Sequence, residues 1–95
     1  MKKDDIIISV TKAIGETKTL NERANDYRSS IIYGKRANYY IRKENGSYEL
    51  MACCKTDDEE FEAAMFCGGT LSTNTLIKEM VACIEIIEED DIWNE

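Results

Sequence analysis

The chain reads as an α+β domain: a small antiparallel sheet built on a central β-hairpin and packed against about four short helices. Three observations predict this. Asn45-Gly46 separates two alternating apolar/polar runs, 36–43 and 47–54, and supplies the two positive-φ residues of a type I′ turn. Apolar residues recur at three- and four-residue spacing on both sides of that hairpin. Ninety-five residues with 43% apolar content suffice for one core, and the absence of proline disfavours a loop-rich chain. A single compact domain over 1–95 follows, with a helical part at 1–30, a hairpin or small meander at 31–55 and an acidic helical part at 56–95.

Asp4 and Asp5 precede Ile6, Ile7, Val10, Ala13 and Ile14, whose spacing predicts a short helix closed by Gly15. The isoleucine run also suits a strand, with Ile6, Ile8 and Val10 on one face. Thr19 and Glu22 form a capping box for a second helix through Leu20, Ala24 and Tyr27. Residues 31–33 suggest a brief strand ended at Gly34.

Counting back from the hairpin turn pairs Arg42 with Glu49, Ile41 with Leu50, Tyr40 with Met51 and Tyr39 with Ala52. One face, with Ala37, Tyr39, Ile41, Tyr48, Leu50, Ala52 and Cys54, covers the core. The other, with Arg36, Asn38, Tyr40, Arg42, Glu49, Met51 and Cys53, faces solvent or a partner. Thr56 to Glu59 repeats the capping box, predicting a third helix with Phe61, Ala64 and Met65 on its apolar side, stopped by Gly68-Gly69. Ser72 or Thr73 caps a last helix whose core stripe is Leu76, Met80, Cys83, Ile84 and Ile87.

Charge divides the chain. Residues 1–55 hold 11 Lys/Arg and 7 Asp/Glu, whereas 56–95 hold 1 and 12. The net charge of −7 argues against direct nucleic-acid or anionic-lipid binding and favours a basic partner. The basic and aromatic residues around Tyr40 and Arg42 could stack bases, but Glu49 stands opposite Arg42 and the molecule is acidic. The apolar run 6–8 is too short for a signal sequence or membrane span, so a cytoplasmic protein without a membrane partner is expected, its four cysteines thiols.

No histidine is present, and no nucleophile, base and orienting group stand together, so a non-enzymatic protein is expected. The cysteines lack zinc-site spacing, and Asp57, Asp58, Glu59, Glu60 and Glu62 lack the central glycine and terminal glutamate of a calcium loop. No metal or cofactor is expected. Two acidic sets remain as partner-binding candidates. Asp57, Asp58, Glu59 and Glu60 have a local explanation, because carboxylates are stabilised at a helix N-terminus. Glu85, Glu88, Glu89, Asp90 and Asp91 have none, since the dipole opposes acid at a helix C-terminus; they form a ladder of negative charge or a solvated face. Ile92 and Trp93 inside that acidic run either fold back on the core or anchor a partner. Tyr40 and Arg42 complete the candidate set.

Asn45-Gly46, the acidic segment Thr56-Asp57-Asp58-Glu59-Glu60-Phe61 and residues 85–91 together resemble small phage-encoded anti-CRISPR and anti-restriction inhibitors in size, acidity and element order. The resemblance is one of style across most of the chain, without a diagnostic motif. It implies a protein-binding inhibitor that covers the basic, nucleic-acid-binding surface of a larger bacterial host protein, such as a CRISPR effector or other defence nuclease, by acidic mimicry. The basic N-terminal half has no role in that account. The alternative is a small regulatory or structural adaptor, dimeric through the outer hairpin face at Tyr40 and Met51.

Overall fold

Ile6, Val10, Ala13, Ile14 and Thr17 recur on one side of helix α1 (Lys3–Thr19), and all are buried. The computed structural model describes residues 2–19, 28–44, 46–67 and 71–88. The helix prevails over the strand because its 3.6-residue period gathers those five, whereas a strand would also have to bury Ile8, which is 67% exposed. Burial of Ile6, Val10 and Ile14 contributes about 1.5–3 kcal/mol each. Gly15 does not end the helix: it lies inside α1, which continues through buried Thr17 to Thr19. The Thr19 hydroxyl turns back to donate to Glu16 O at 2.9 Å, so it closes this helix. The rest of the expected second helix, 20–27, lies outside the described residues.

Strands β1 (Ile32–Tyr33), β2 (Ala37–Glu44), β3 (Ser47–Cys54) and β4 (Glu60–Cys67) pair in chain order as an antiparallel sheet. The β2–β3 register is the expected one, with Arg42 opposite Glu49, Ile41 opposite Leu50, Tyr40 opposite Met51 and Tyr39 opposite Ala52. Gly46 carries the positive φ that such a turn requires, at 78°; Asn45 lies outside the described residues.

The helix expected after residue 56 is strand β4, and the domain has two described helices where about four were expected. Two facts explain the strand. Cys54 N donates to Glu59 O and Asp58 N to Cys54 O, both at 3.0 Å, while Asp58 takes a left-handed φ of 57°, so the chain reverses at once. Strand β3, buried along its middle, also needs backbone partners on both sides, and residues 60–67 supply them. Tertiary pairing overrides the helical propensity of Ala63-Ala64-Met65. A bulge opposite Leu50/Met51 lets Ala63 and Ala64 both pack against the core.

Helix α2 (Thr73–Glu88) starts as expected: Ser72 Oγ accepts from Thr75 N at 3.2 Å, an N-cap. Its buried residues are Leu76, Met80, Val81 and Ile84, with Cys83 and Ile87 half-buried against the core. α1 and α2 run antiparallel on one face of the sheet, Lys18 bonding Thr73 at one end and Lys3 lying 3.9 Å from Glu85 at the other. Between helices and sheet the core closes over Tyr39, Ile41, Leu50 and Ala52. No described helix is long and apolar enough to cross a membrane.

The opposite sheet face departs from expectation. Tyr40, Glu49 and Met51 are 5%, 6% and 7% exposed, so the outer hairpin face is not an open surface at those positions. The Arg28 guanidinium lies 4.9 Å from the centre of the Tyr40 ring. A dimer built on Tyr40 and Met51 loses its contact residues.

Candidate partner-binding surface

Every residue from Lys55 to Glu62, in the β3–β4 turn and the start of β4, is exposed. Five of them are acids: Asp57, Asp58 and Glu59 stand in the turn and Glu60 and Glu62 on the first residues of β4, instead of at the helix start that would have favoured them. Asp57 Oδ1 accepts from Glu59 N at 3.0 Å, which fixes the turn. Asp57, Asp58 and Glu59 make no ion pair among the described residues.

Glu60 and Glu62 both project from the outer face of β4, one strand repeat apart. Glu60 Oε1 accepts from the Tyr40 hydroxyl at 2.7 Å. Burial first, and this bond second, push the Tyr40 phenol up. Beside them Arg42 holds Glu49 in a two-pronged bond of 3.2 and 3.0 Å. Glu62 shares a hydrogen bond with Glu49, which raises its pKa; burial and the Glu49 charge act in the same direction, and Arg42 opposes them. Sequence reading missed this acid pair because Glu49 and Glu62 meet diagonally across two strands.

The second acidic set is placed differently. Glu85 is half-buried beside Lys3. Glu88 is half-buried and held by the protein's own donors: its carboxylate accepts from Lys35 N at 2.5 Å, Arg36 N at 3.1 Å, Ala37 N at 3.4 Å and the Tyr39 hydroxyl at 2.7 Å. The turn between β1 and β2 thus forms a nest of N–H donors, and Gly34 permits the approach, since a Cβ there would stand 2.6 Å from Glu88 Oε2. Burial raises the Glu88 pKa, but the Tyr39 bond and the three backbone bonds outweigh it and hold the carboxyl below its ordinary value. Glu89, Asp90, Asp91 and Trp93 lie outside the described residues.

The turn acids and Glu88 lie at the same end of the sheet, because Lys55 N donates to Arg36 O at 3.2 Å and joins the β3–β4 turn to the turn that binds Glu88. Glu88 does not extend the exposed acids of the turn into one ladder, since its carboxylate is taken up by four donors of the protein itself. Among the described residues no group of three or more Asp, Glu, Cys or His side chains could hold a metal ion. The described cysteines Cys53, Cys54 and Cys83 are free and half-buried, and burial raises the Cys83 thiol. No protein-family profile, curated protein or solved structure matches the chain.

Proposed function

We propose that the chain is a non-enzymatic inhibitor that covers a basic, nucleic-acid-binding surface of a larger protein, such as a CRISPR effector or other defence nuclease. One observation carries this reading: the exposed run Asp57 to Glu62 holds five acids that no helix dipole stabilises, three of them, Asp57, Asp58 and Glu59, in the turn at one end of the sheet without an ion pair among the described residues. Negative charge concentrated on a protruding turn steers encounter with a cationic groove and competes there with phosphates. The reading rests on residues 57–62 and not on 85–91, since Glu88 is held by the protein's own donors and Glu89, Asp90 and Asp91 lie outside the described residues.

The test is competition. A basic nuclease captured by the chain is expected to be released by added DNA or RNA and by salt. Asp57→Lys with Glu59→Lys is expected to weaken capture more than tenfold, equivalent to over about 1.4 kcal/mol, whereas Glu88→Gln is not. Capture that ignores both nucleic acid and the turn variant overturns the reading.

A dimeric adaptor stands as a second reading, on a different surface from the hairpin face. β4 is an edge strand with Phe61 and Met65 exposed, and no strand pairs its outer side among the described residues. Sedimentation that shows a concentration-dependent mass would favour it.

A further inference from the structure

The two edges of the sheet differ. On the β1 side Ser29 N donates to Ile41 O and Ile41 N to Ser29 Oγ, both at 2.8 Å, and Arg28 bridges Arg42, so residues 28–33 close the outer edge of β2. β4 is the other edge, eight residues long, and no strand pairs its outer side among the described residues. A row of unpaired N–H and C=O groups is a template for one more strand.

The side chains flanking that row say which strand. Register sets Phe61 opposite buried Ala52, on the helix side, and sets Glu60 and Glu62 opposite Cys53 and Met51, on the other. On the helix side Phe61, Ala63, Cys83 and Ile86 line a groove of about 270 Å³ between β4 and α2, with Phe61 and Ile86 41% and 68% exposed and Glu62 at the rim. On the outer side Glu60 and Glu62 are exposed, and β4 contains no basic residue. We infer that β4 takes up, as a further strand of the sheet, an extended segment of another protein in which apolar side chains facing α2 alternate with Lys or Arg facing Glu60 and Glu62.

Backbone and side chains require the same occupant. A strand that continues the sheet lays every second side chain over Ile86 and Cys83 and the others beside the carboxylates, whereas a helix in the groove leaves the edge groups unused. Charge then selects among strands. A second copy offers Glu60 and Glu62 again, on a chain of net charge −7, so β4 against β4 sets like charge on like. The acids that guard the edge against self-association admit a basic segment. The inference rests on the proposed function for the basic character of the partner, and adds the main-chain pairing that holds it.

The test needs no nuclease. A capped eight-residue peptide alternating valine and lysine, the length of β4, is added to the 95-residue chain, and backbone amide exchange is followed by NMR. Every second amide of β4 is expected to slow at least roughly tenfold at saturation, because alternate N–H groups of an edge strand point outward. A peptide of the same composition, with valines and lysines in separate blocks, is expected to give no such protection. Ile86→Asn is expected to weaken binding of the alternating peptide at least roughly fivefold, and Glu62→Gln roughly two- to fivefold, the weight of one exposed ion pair. Ile8→Asn, at an equally exposed isoleucine of α1, is expected to change nothing, and far-ultraviolet circular dichroism confirms that each variant folds.

No protection by the alternating peptide overturns the inference. So does equal protection by the block peptide, which assigns binding to charge alone, or binding that ignores both Ile86→Asn and Glu62→Gln. Outward amides of β4 already slow in the free chain also overturn it: the edge then belongs to a second copy if the protection rises with protein concentration, and to the chain itself if it does not. Nuclease capture that responds to Asp57→Lys with Glu59→Lys but not to Ile86→Asn overturns the inference and leaves the proposed function standing. Peptide pairing without any nuclease capture does the reverse.

Discussion

The Tyr39 hydroxyl donates to Glu88 Oε2 at 2.7 Å, joining the central hairpin to the last described residue of α2. Tyr39 is fully buried on the core face, and burial first, then Glu88, drive its phenol far above the ordinary value. The residue at the unfavourable end of the helix dipole is thereby satisfied by four donors from one sheet end.

Glu88→Gln is expected to cost about 1.5–3 kcal/mol near neutral pH, the worth of hydrogen bonds to a charged group. The Glu88 carboxyl is held below its ordinary 4.5 in the folded state, so its contribution is fully present above that value and is lost as pH falls through the lowered one. Urea denaturation of both proteins should show a gap well above pH 4.5 that closes in stronger acid. A constant gap contradicts the assignment.

Gly34→Ala should destabilise by about 1–3 kcal/mol, because the new methyl meets Ala37 O and Glu88 Oε2, each at 2.6 Å. Combined with Glu88→Ala, the two losses should fall short of their sum by at least about 0.5 kcal/mol, since one of the two clashes is then gone. A double-mutant cycle by thermal melts reads this directly.

Glu62→Gln should stabilise the protein at neutral pH. Its folded pKa is raised by the hydrogen bond with Glu49, so the favourable contribution belongs to acid, present below 4.5 and lost as pH rises through the raised value. The variant and the parent should therefore be equally stable in acid and diverge upward from it. An NMR titration of the Glu62 carboxyl carbon with a midpoint at or below 4.5 would refute the shared proton.

Asp58→Gly should change stability by less than about 1 kcal/mol, because relief of the left-handed conformation offsets the flexibility that glycine adds when unfolded. Asp58→Val should cost about 1–2 kcal/mol at the same φ. Calorimetry of both separates the backbone demand at this position from the charge that the proposed function uses.

The hairpin was legible in the sequence because its information is local: a turn dipeptide and a two-residue period fix the register from Ala37 to Cys54. α1 and α2 were legible from their stripes, although Gly15 misled about where the first stops. β4 was not, since Thr56, Glu59 and Ala63-Ala64-Met65 satisfy helix rules by themselves and only the needs of β3 decide against them. The consequence for the acids is an exchange of roles. Asp57 to Glu60 lose the dipole that seemed to account for them, and Glu88, which seemed to need an outside partner, has one in the backbone of Lys35 to Ala37. Main-chain donors some fifty residues away leave no mark on side-chain pattern.

The antiparallel contact between α1 and α2 also sets an order of events during synthesis. The four strands pair with their immediate successors, so the sheet can zip as it emerges. Ile6, Val10 and Ile14 gain their second layer only with α2, since Lys18 meets a residue 55 positions later. Until then α1 has the sheet alone to lie against, and truncation before Ser72 should leave a sticky, partly folded species that engages chaperones.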